Sequence, residues 1–522
     1  MNNNTACNDL NNLIKKIMKK YDYIIIGAGI GGLSAACFLS KYNKKVLILE
    51  KHNKVGGLCT SFKKNETQFD CGIEGLHELE PNETIPQFIN FLGGKIESEI
   101  REENICCYIN NKKYIFKSTS IKDDFISQFP DDKKDIEKLF SVCNGIMKQA
   151  LNDNTAPVPP YDMSIMELIK FGIHNMIKKP LFLKYGLKDF KKIIWKLTSN
   201  KEIAEIFYSK AMSDILFFGY VYRWWAIDKT YYPIGGMQKI ADTMKQIALD
   251  NGCDILDNTP VNEIIIENNK TKGIKTKNGY LYYADKIISN ASPMYTNSII
   301  SSENKTKLKT DIIYKKKDIF QSVCILFLSV KDINSLGGNN YIYIGSDDCV
   351  KIPEKSFNPH NTPIVIQVAK KKPDDKFYAV TALAPIPYEY NNSWNTFDTK
   401  ERKEEYYKLK NEVQNILLNR ICEKLGDEFK NSITYAELGT PLTIERYTNN
   451  TKGSFMGFSY NQKNFGKFLK QKTEIPGLYL VGQWTFPGFG IAGVMASGYY
   501  LAKDLLKEDN IDLEKEYIDY FK

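Results

Sequence analysis

The sequence predicts an α/β fold in which a parallel-sheet domain is interleaved with an α+β domain that bears a helical cap. Three observations support this prediction. A continuous apolar strand at 22–26 is followed by a glycine-rich turn, a helical segment and a second strand. A second glycine-rich strand and helix follow at 477–507 and can return to the same sheet. With 522 residues, the chain is too long for a single compact core.

The turn after the first strand carries the clearest functional signal. Residues 27–32 read Gly-Ala-Gly-Ile-Gly-Gly, a G-x-G-x-x-G motif that opens a helical segment. In this motif Gly27 permits a tight turn, Gly29 lets the backbone approach a pyrophosphate, and Gly32 allows close packing of helix on strand. Glu50 follows the second strand, where an acid binds the ribose hydroxyls of a dinucleotide. The pattern predicts a Rossmann-like dinucleotide site rather than a glycine-rich turn without a ligand.

Further motifs extend this signal along the chain. A glycine pair, Gly56-Gly57-Leu58, follows Glu50, and the loop Phe69-Asp70-Cys71-Gly72 comes next. The other matching segments are 232–237, 441–448, 475–484 and 487–494. Together they resemble the family of phytoene desaturases, carotenoid isomerases and retinol saturases and, more distantly, the flavin amine oxidases.

The resemblance implies FAD as the cofactor, bound by a Rossmann-like domain of the glutathione-reductase type. By this resemblance, Val261 corresponds to the family's position at the adenine, and Gln483 corresponds to a position near the ribityl chain. A helix opening near 490 would direct its N-terminus at the flavin N1–C2=O region and stabilise the reduced anion. The implied cofactor-binding residues are Gly27, Gly29, Ile30, Gly31, Gly32, Glu50, Lys51, Gly56, Gly57, Leu58, Val261, Gly482, Gln483, Gly490, Ile491, Ala492, Gly493 and Val494.

The acid–base residues are less sharply indicated. Glu74 and His77 follow the 69–72 loop, which in relatives runs toward the flavin face. Either side chain could move a substrate proton if its pKa lies near neutrality, and a packing role is the alternative for both. Some relatives carry His where this chain has Glu74. Candidates for the wall of a substrate tunnel, or for ordinary core positions, are Arg223, Trp224, Trp225 and Arg446.

The predicted domains are discontinuous, because the motifs of the resemblance lie at both ends and in the middle of the chain. The stretch 123–225 has a helical pattern without clear strands, whereas 292–440 contains strand runs and one long charged helix. The predicted parts are 1–20, an N-terminal amphipathic helix; 21–116, 231–300 and 441–507, the FAD-binding domain; 117–230, a helical cap facing the membrane; 301–440, the sheet and helix of the substrate domain; and 508–522, a C-terminal tail.

Composition narrows the class of protein. The net charge of +9 is a mild basic bias that favours an anionic surface and does not indicate nucleic acid binding. Eleven irregularly spaced cysteines predict free thiols in a reducing compartment rather than a disulfide framework. Four scattered histidines give no metal-ligand spacing. Apart from residues 488–493 of the closing motif, no second G-x-G-x-x-G is present, so a dedicated NAD(P)H site is not expected. We expect a cytoplasmic protein.

Membrane contact is a further expectation. Residues 1–20 have apolar positions at helical spacing between lysines, and 165–206 interleaves large apolar residues with eight lysines up to Lys196. Such helices can lie in a bilayer interface, here the inner face of a membrane, or can pack on the protein with a solvated lysine face. Neither segment reads as a spanning helix.

Two functional classes follow from the resemblance. The first is an FAD-dependent oxidoreductase that desaturates or saturates carbon–carbon bonds of a hydrophobic polyene or isoprenoid, with hydride exchanged at flavin N5. The second is a redox-neutral cis–trans or double-bond isomerase that uses FAD without net oxidation. A flavin amine oxidase and a flavin-binding lipid module are weaker alternatives. The substrate, the electron partner and the proton-transfer residue stay open.

Overall fold

The computed structural model describes residues 21–72, 75–151, 162–209, 215–221, 230–301, 308, 316–345 and 351–522. The strands in chain order are β1 Tyr23–Ile26, β2 Val46–Leu49, β3 Ser61–Lys64, β4 Thr67–Asp70, β5 Ser98–Arg101, β6 Asn104–Ile109, β7 Lys112–Lys117, β8 Thr230–Pro233, β9 Asp254–Leu256, β10 Val261–Glu267, β11 Lys270–Thr276, β12 Leu281–Tyr283, β13 Lys286–Ser289, β14 Val323–Val330, β15 Tyr341–Ile344, β16 Ile364–Val368, β17 Tyr378–Pro385, β18 Ile433–Gly439 and β19 Leu478–Leu480.

The helices alternate with these strands in the nucleotide-binding part and cluster elsewhere. In chain order they are α1 Ile30–Ser40, α2 Thr84–Phe91, α3 Ile121–Gln128, α4 Lys133–Leu151, α5 Ile165–Lys178, α6 Phe190–Leu197, α7 Lys201–Ser209, α8 Phe217–Tyr220, α9 Gln238–Asp250, α10 Pro293–Ser298, α11 Glu404–Ser432, α12 Pro441–Thr448, α13 Ile491–Lys507 and α14 Leu513–Tyr520.

A five-stranded parallel sheet organises the first domain, in the order β19-β13-β1-β2-β9. The register places Ile25 of β1 between Ile48 of β2 and Ile288 of β13. All four residues of β1 are buried, because the helices α1 and α13 cover one face of the sheet and the three-stranded sheet β10-β11-β12 covers the other. This order joins segments from both ends and the middle of the chain, and it confirms the predicted α/β class with a Rossmann-like domain.

Helix α1 is buried along its whole length and packs against α13. The Ser34 hydroxyl donates to the Met495 carbonyl at 2.7 Å. A Cβ added to Gly498 would lie 2.5 Å from the Ser34 Cβ, so the two helices can approach this closely only with glycine there. The pairing holds the first and last motifs of the chain together.

A seven-stranded sheet forms the second layer, in the order β18-β14-β17-β16-β15-β6-β7. Its pairs are antiparallel apart from β15 with β6. One face packs on α11, which bends at Gly426, and the other faces the β3–β4 hairpin and the helical region. The predicted domain boundary after residue 116 is therefore wrong, because β6 and β7 hydrogen-bond into this sheet and not into the nucleotide-binding one.

The helical region lies where the sequence predicts it. Between residues 123 and 221, the described residues form α3–α8 and contain no strand. Their apolar side chains pack with those of β6, β7 and β15 in one cluster. The predicted hairpin at 273–283 is present as β11 and β12, and its turn residue Gly279 has φ +85°.

The ends of the chain differ from the predictions in one respect. Residues 508–522, predicted as a tail, contain α14, whose Leu513 is buried and whose Tyr517 ring contacts Phe88 and Phe91. The predicted helix at 1–20 lies outside the described residues. Among the described helices, none combines the length and hydropathy that crossing a bilayer requires. The nine cysteines described are free thiols.

Candidate functional site

The turn between β1 and α1 has the geometry that a pyrophosphate site needs. Gly27 adopts φ +94°, and a Cβ on Gly32 would lie 2.3 Å from the Gly27 carbonyl oxygen. Helix α1 starts at Ile30 with Gly29 as its N-cap, and no side chain caps it. The first amides of a helix have no partner within the helix, so this N-terminus presents donors and a positive dipole end to an anion.

Three loops meet at the carboxyl ends of β1, β13 and β19. Asn290, directly after β13, lies against this turn: a Cβ on Gly29 would be 2.6 Å from Asn290 Nδ2. A Cβ on Gly31 would be 2.8 Å from both Asn290 Oδ1 and the Cα of Gly482, the second residue after β19. The first and last glycine motifs are thus brought together, as the resemblance implies. No motif in the sequence includes Asn290. A polar residue at the end of a parallel strand is nevertheless a signal, because ligands bind at that edge of such sheets.

Glu50 is a buried carboxylate at the end of β2. Its Oε2 accepts from the Ala28 backbone amide at 2.8 Å, and its Oε1 accepts from the His52 amide at 3.0 Å. Two backbone donors fix the carboxylate against the glycine turn, and each oxygen keeps a second acceptor position for a ribose hydroxyl. The structure therefore places the Glu50 carboxylate against the glycine turn, and its binding of a ribose stays a prediction.

The glycine pair lies alongside the first turn. The Gly56 amide donates to the Ala28 carbonyl at 2.8 Å, and Gly29 and Gly56 form a parallel bridge. Gly56 and Gly57 have φ values of +118° and +63°. Leu58 packs at the edge of the apolar cluster under the β3–β4 hairpin. Residues from both motifs thus line one cradle.

Val261 opens β10 and is buried. The segment before it is tied to Glu50, because the Thr259 amide donates to the Glu50 carbonyl at 2.7 Å. The Tyr295 hydroxyl donates to the Val261 carbonyl at 3.4 Å. Val261 therefore lies on the Glu50 side of the cradle, and its position at the adenine stays a prediction.

Lys51 is held away from the glycine turn. Its ammonium donates to the Arg446 carbonyl at 2.8 Å and to Asn449 Oδ1 at 2.7 Å, and burial lowers its pKa to about 8. Lys51 thus joins β2 to the end of α12. The Arg446 side chain is exposed beside the Tyr447 ring, which does not match the predicted tunnel wall, because α12 buries Leu442 and Ile444 instead.

The closing motif forms a second helix N-terminus. Gly490 caps α13 with φ +83° and without a side-chain hydrogen bond. The Val494 amide bonds back to the Gly490 carbonyl at 2.9 Å, so the amides of Ile491, Ala492 and Gly493 precede the first intrahelical bond. This end can stabilise negative charge in the same way as the start of α1.

A small cavity lies beside the closing motif. It has a volume of ≈ 30 Å³, room for about one water-sized group, and its lining includes Gln483, Lys317, Phe458, Trp484 and Phe489. The Nε2 of Gln483 is buried with no hydrogen-bond partner among the described residues. An unpartnered buried amide is costly, so this donor points to a ligand or water that satisfies it.

Lys317 places a cation in the same cavity. Its ammonium lies 4.9 Å from the centroid of the Phe458 ring. Burial, with repulsion from Lys467, lowers the pKa of Lys317 to about 8. No motif marks Lys317 in the sequence, where it is one lysine in a run of three; only its place in the cavity distinguishes it.

Asp70 connects three motifs of the resemblance. This buried carboxylate accepts hydrogen bonds from the Ser61 and Tyr232 hydroxyls and from the Met237 amide at 3.2 Å, and Lys372 Nζ lies 3.7 Å away. The contacts tie the β3–β4 hairpin to the segment 232–237 and to Lys372, which follows β16 of the seven-stranded sheet. Asp70 is thus a positioning residue between the domains.

The structure does not test the two acid–base candidates or three of the candidates for the tunnel wall. Glu74, Arg223, Trp224 and Trp225 lie outside the described residues. His77 begins a short 3₁₀ turn, His77–Leu79, and only its backbone is described. Over the part of the chain that the structure describes, no group of His, Cys, Asp and Glu side chains could hold a metal ion.

The residues present fit a flavin dinucleotide. Two uncapped helix N-termini supply donors for phosphates and for reduced flavin, and Glu50 supplies the ribose acceptor. A Cβ on Gly31 would lie 2.8 Å from the Gly482 Cα, and a Cβ on Gly29 would have to displace the Asn290 amide. The buried Gln483 amide supplies a further donor that has no partner in the described part of the chain.

Known proteins resemble this chain over most of its length. The family described as an NAD(P)-binding Rossmann-like domain matches residues 25–92. An all-trans-retinol 13,14-reductase of Danio rerio is 23% identical, covering 96% of this chain and 88% of that protein. A chloroplastic prolycopene isomerase of Daucus carota is 26% identical, covering 96% and 82%. Among solved structures, a putrescine oxidase triple mutant has a TM-score of 0.64 at 14% identity, covering 94% and 99%.

The matches confirm the resemblance to the carotenoid isomerase and retinol saturase group. The structural likeness confirms the fold class, including the Rossmann-like domain. Taken with the two glycine motifs and Glu50, the relatives support FAD as the cofactor.

Proposed function

We propose that this protein is an FAD-dependent oxidoreductase that acts on carbon–carbon bonds of a hydrophobic polyene or isoprenoid, by saturation or desaturation. The observation that carries the proposal is the near full-length similarity to retinol 13,14-reductases and prolycopene isomerases in a chain whose two glycine motifs close on each other. The assignment to a phytoene desaturase-like subtype with CH–CH donors is the finer part of the proposal.

The chain's own residues have separable roles in binding. The N-terminal amides of α1 would hold the pyrophosphate, and Glu50 would accept from the ribose hydroxyls. The start of α13 would stabilise negative charge on the pyrimidine side of the flavin. FAD, when bound, supplies hydride exchange at N5. Asp70 keeps the hairpin and the segment 232–237 in place around the site.

Proton transfer needs a second group, since saturation or desaturation adds or removes a proton beside the hydride. Lys317 lines the cavity next to Gln483, and its pKa of about 8 suits a group that changes protonation state near neutral pH. We add Lys317 to Glu74 and His77 as candidates for this role. The ammonium form would donate the proton and the neutral amine would accept it.

A redox-neutral isomerase is the second candidate. The similarity to prolycopene isomerases of Daucus carota and Arabidopsis thaliana favours it directly, and the same cradle would serve it. The amine oxidases among the solved structures share the fold at under 15% identity and carry no argument for an amine substrate. A flavin-binding lipid module without catalysis is a weaker possibility, because α13 presents an uncapped N-terminus suited to reduced flavin.

Product analysis separates these candidates. The FAD-loaded protein is incubated with all-trans-retinol and with prolycopene, in air and after anaerobic reduction, and the products are identified by mass and chromatographic retention. A change of one hydrogen pair indicates a reductase or desaturase, whereas a changed retention at unchanged mass indicates an isomerase. No product from either polyene under both conditions would contradict the proposed substrate class.

A further inference from the structure

Helix α5 is exposed to an unusual degree. It begins after a capping box made by Ser164 and Glu167, and Asn175 is the single buried residue among its fourteen. Eight large apolar side chains on it are between 42% and 79% exposed. They are Ile165, Met166, Leu168, Ile169, Phe171, Ile173, Met176 and Ile177. Such a concentration of exposed apolar surface marks an interaction site.

The charged residues and the histidine of α5 lie along one narrow side. Glu167, Lys170, His174 and Lys178 follow one another at intervals of three or four residues, which places them on a single face. Apart from Gly172 and the buried Asn175, the residues on the rest of the helix circumference are apolar. An apolar sector this wide exceeds the stripe by which a helix packs on one protein neighbour, and it suits a helix whose body lies among lipid chains.

Charge around the helix favours an anionic lipid surface. Residues 165–196 contain eight lysines and two acidic residues, Glu167 and Asp189. Both acids are used locally: Glu167 accepts from the Ser164 amide, and Asp189 accepts from the Lys192 amide. The exposed lysines of the stretch are Lys170, Lys178, Lys184, Lys188, Lys192 and Lys196.

The helices that follow do not share this exposure. Helix α6 buries Phe190, Ile193, Ile194 and Leu197, and α7 buries its residues from Ile203 to Ser209. The stretch 165–206, predicted as one membrane-facing unit, therefore divides into an exposed helix and two helices that pack in the protein core. Any lipid contact by apolar side chains of the described stretch would come from α5.

We propose that α5 lies in the interface of an anionic bilayer, parallel to its surface, with its apolar sector among the acyl chains and its lysines at the headgroups. A fourteen-residue helix is about 21 Å long, shorter than the roughly 30 Å hydrocarbon layer, so it lies in the interface rather than crossing it. This docking would deliver a hydrophobic substrate without exposing it to water. The delivery of a hydrophobic substrate rests on the proposed function, whereas the docking itself does not depend on the reaction.

A tryptophan reporter tests the placement. Phe171→Trp is made in the FAD-loaded full-length protein, with Ile518→Trp on the exposed side of α14 as the matched control. Vesicles of phosphatidylcholine with and without phosphatidylserine are added. We expect a blue shift and quenching by brominated acyl chains for Phe171→Trp with the anionic vesicles alone, and no change for the control.

A second pair of variants tests the energetics. Ile169→Glu with Ile173→Glu should lower partitioning to anionic vesicles at least tenfold, Ile518→Glu should leave it unchanged, and high salt should release the unmodified protein. FAD content and turnover of detergent-dispersed substrate should stay the same in both variants, which separates a docking failure from a failure of the proposed activity.

Three results would overturn the proposal. Equal binding to neutral and anionic vesicles would remove the role of the lysines. Unchanged partitioning of the Ile169→Glu and Ile173→Glu double variant would remove the role of α5. Blue-shifted emission from Phe171→Trp before vesicles are added would show that another part of the protein, or a second copy, already covers the helix.

Discussion

Asn290 lies against Gly29: a Cβ added to Gly29 would be 2.6 Å from Asn290 Nδ2. The same side chain is 2.5 Å from the place that a Cβ on Gly482 would take. Asn290 therefore lies between the glycine turn that begins the fold and the glycine that begins the closing motif. A side chain on Gly29 would have to displace the Asn290 amide and would collide with a pyrophosphate at the helix N-terminus.

The first prediction concerns cofactor binding. The purified protein should bind one FAD non-covalently and release it on heating or acid treatment. Gly29→Val should release none, because the valine side chain occupies the phosphate position. Gly172→Ala is the matched control, since a Cβ there has open space around it. Chromatography of the released nucleotide measures the result. Recovery of NAD in place of FAD, or of FAD from Gly29→Val, would contradict the prediction.

The second prediction concerns the flavin potential and Gln483. Replacing this neutral amide by a carboxylate in Gln483→Asp should lower the potential, since a negative charge opposes the reduced flavin anion. At several ångströms and an effective dielectric near 20 the effect is on the order of 2 kcal/mol. Spectroelectrochemical titration of the two proteins measures it, with Gln483→Ala as the uncharged control. An unchanged or raised potential in Gln483→Asp would show that Gln483 does not face the flavin.

The third prediction concerns Lys317 and pH. If its ammonium donates the substrate proton, turnover should fall as pH rises through about 8, the lowered pKa of this lysine. Lys467→Met removes a nearby positive charge and should move that midpoint upward. Lys317→Met should lose most of the activity together with the pH dependence. A pH profile that is the same in the unmodified protein and in Lys467→Met would count against the role.

The same pKa shift has a consequence for stability. Because the folded-state pKa of Lys317 is lower than the unfolded value of 10.5, the unfolded state binds more protons between about 8 and 10.5. Below pH 8 both states carry the charge, and its burial lowers the free energy of unfolding. Lys317→Met should therefore be more stable at pH 7, by on the order of 1 kcal/mol once the shift is reduced for solvent screening of this half-exposed group, and the gain should shrink between pH 8 and 10.5. Urea unfolding at several pH values measures this.

The fourth prediction concerns Asp70. Asp70→Ala leaves the Met237 amide and Lys372 without their buried acceptor, and we expect a loss of about 3 to 5 kcal/mol in the free energy of unfolding. Tyr232→Phe removes one hydroxyl donor and should cost about 1 kcal/mol. Urea unfolding of both variants in the FAD-loaded form gives the comparison. A similar cost for the two substitutions would show that Asp70 does not act as a common acceptor.

Much of the nucleotide-binding part could be predicted from local sequence. The apolar run of β1, the turn at 27–32 and the acid at 50 lie close together in the chain, and each follows from the backbone requirements of one βαβ unit. The closing motif is equally local, since a positive-φ glycine precedes the helix that starts at Ile491. These features need no distant partner to be recognised.

Tertiary structure decided what distant segments do to one another. Asn290 contacts the first glycine turn across 263 residues, and β6 and β7 leave the nucleotide-binding part because their strand partners are β15 and each other. Lys317 is one lysine among many until burial beside Phe458 lowers its pKa. The alternation of apolar and basic residues is alike in α5 and α6, yet α6 is buried and α5 is exposed. Sequence periodicity predicts which face of a helix is apolar. Only tertiary packing determines whether that face is buried against the rest of the protein.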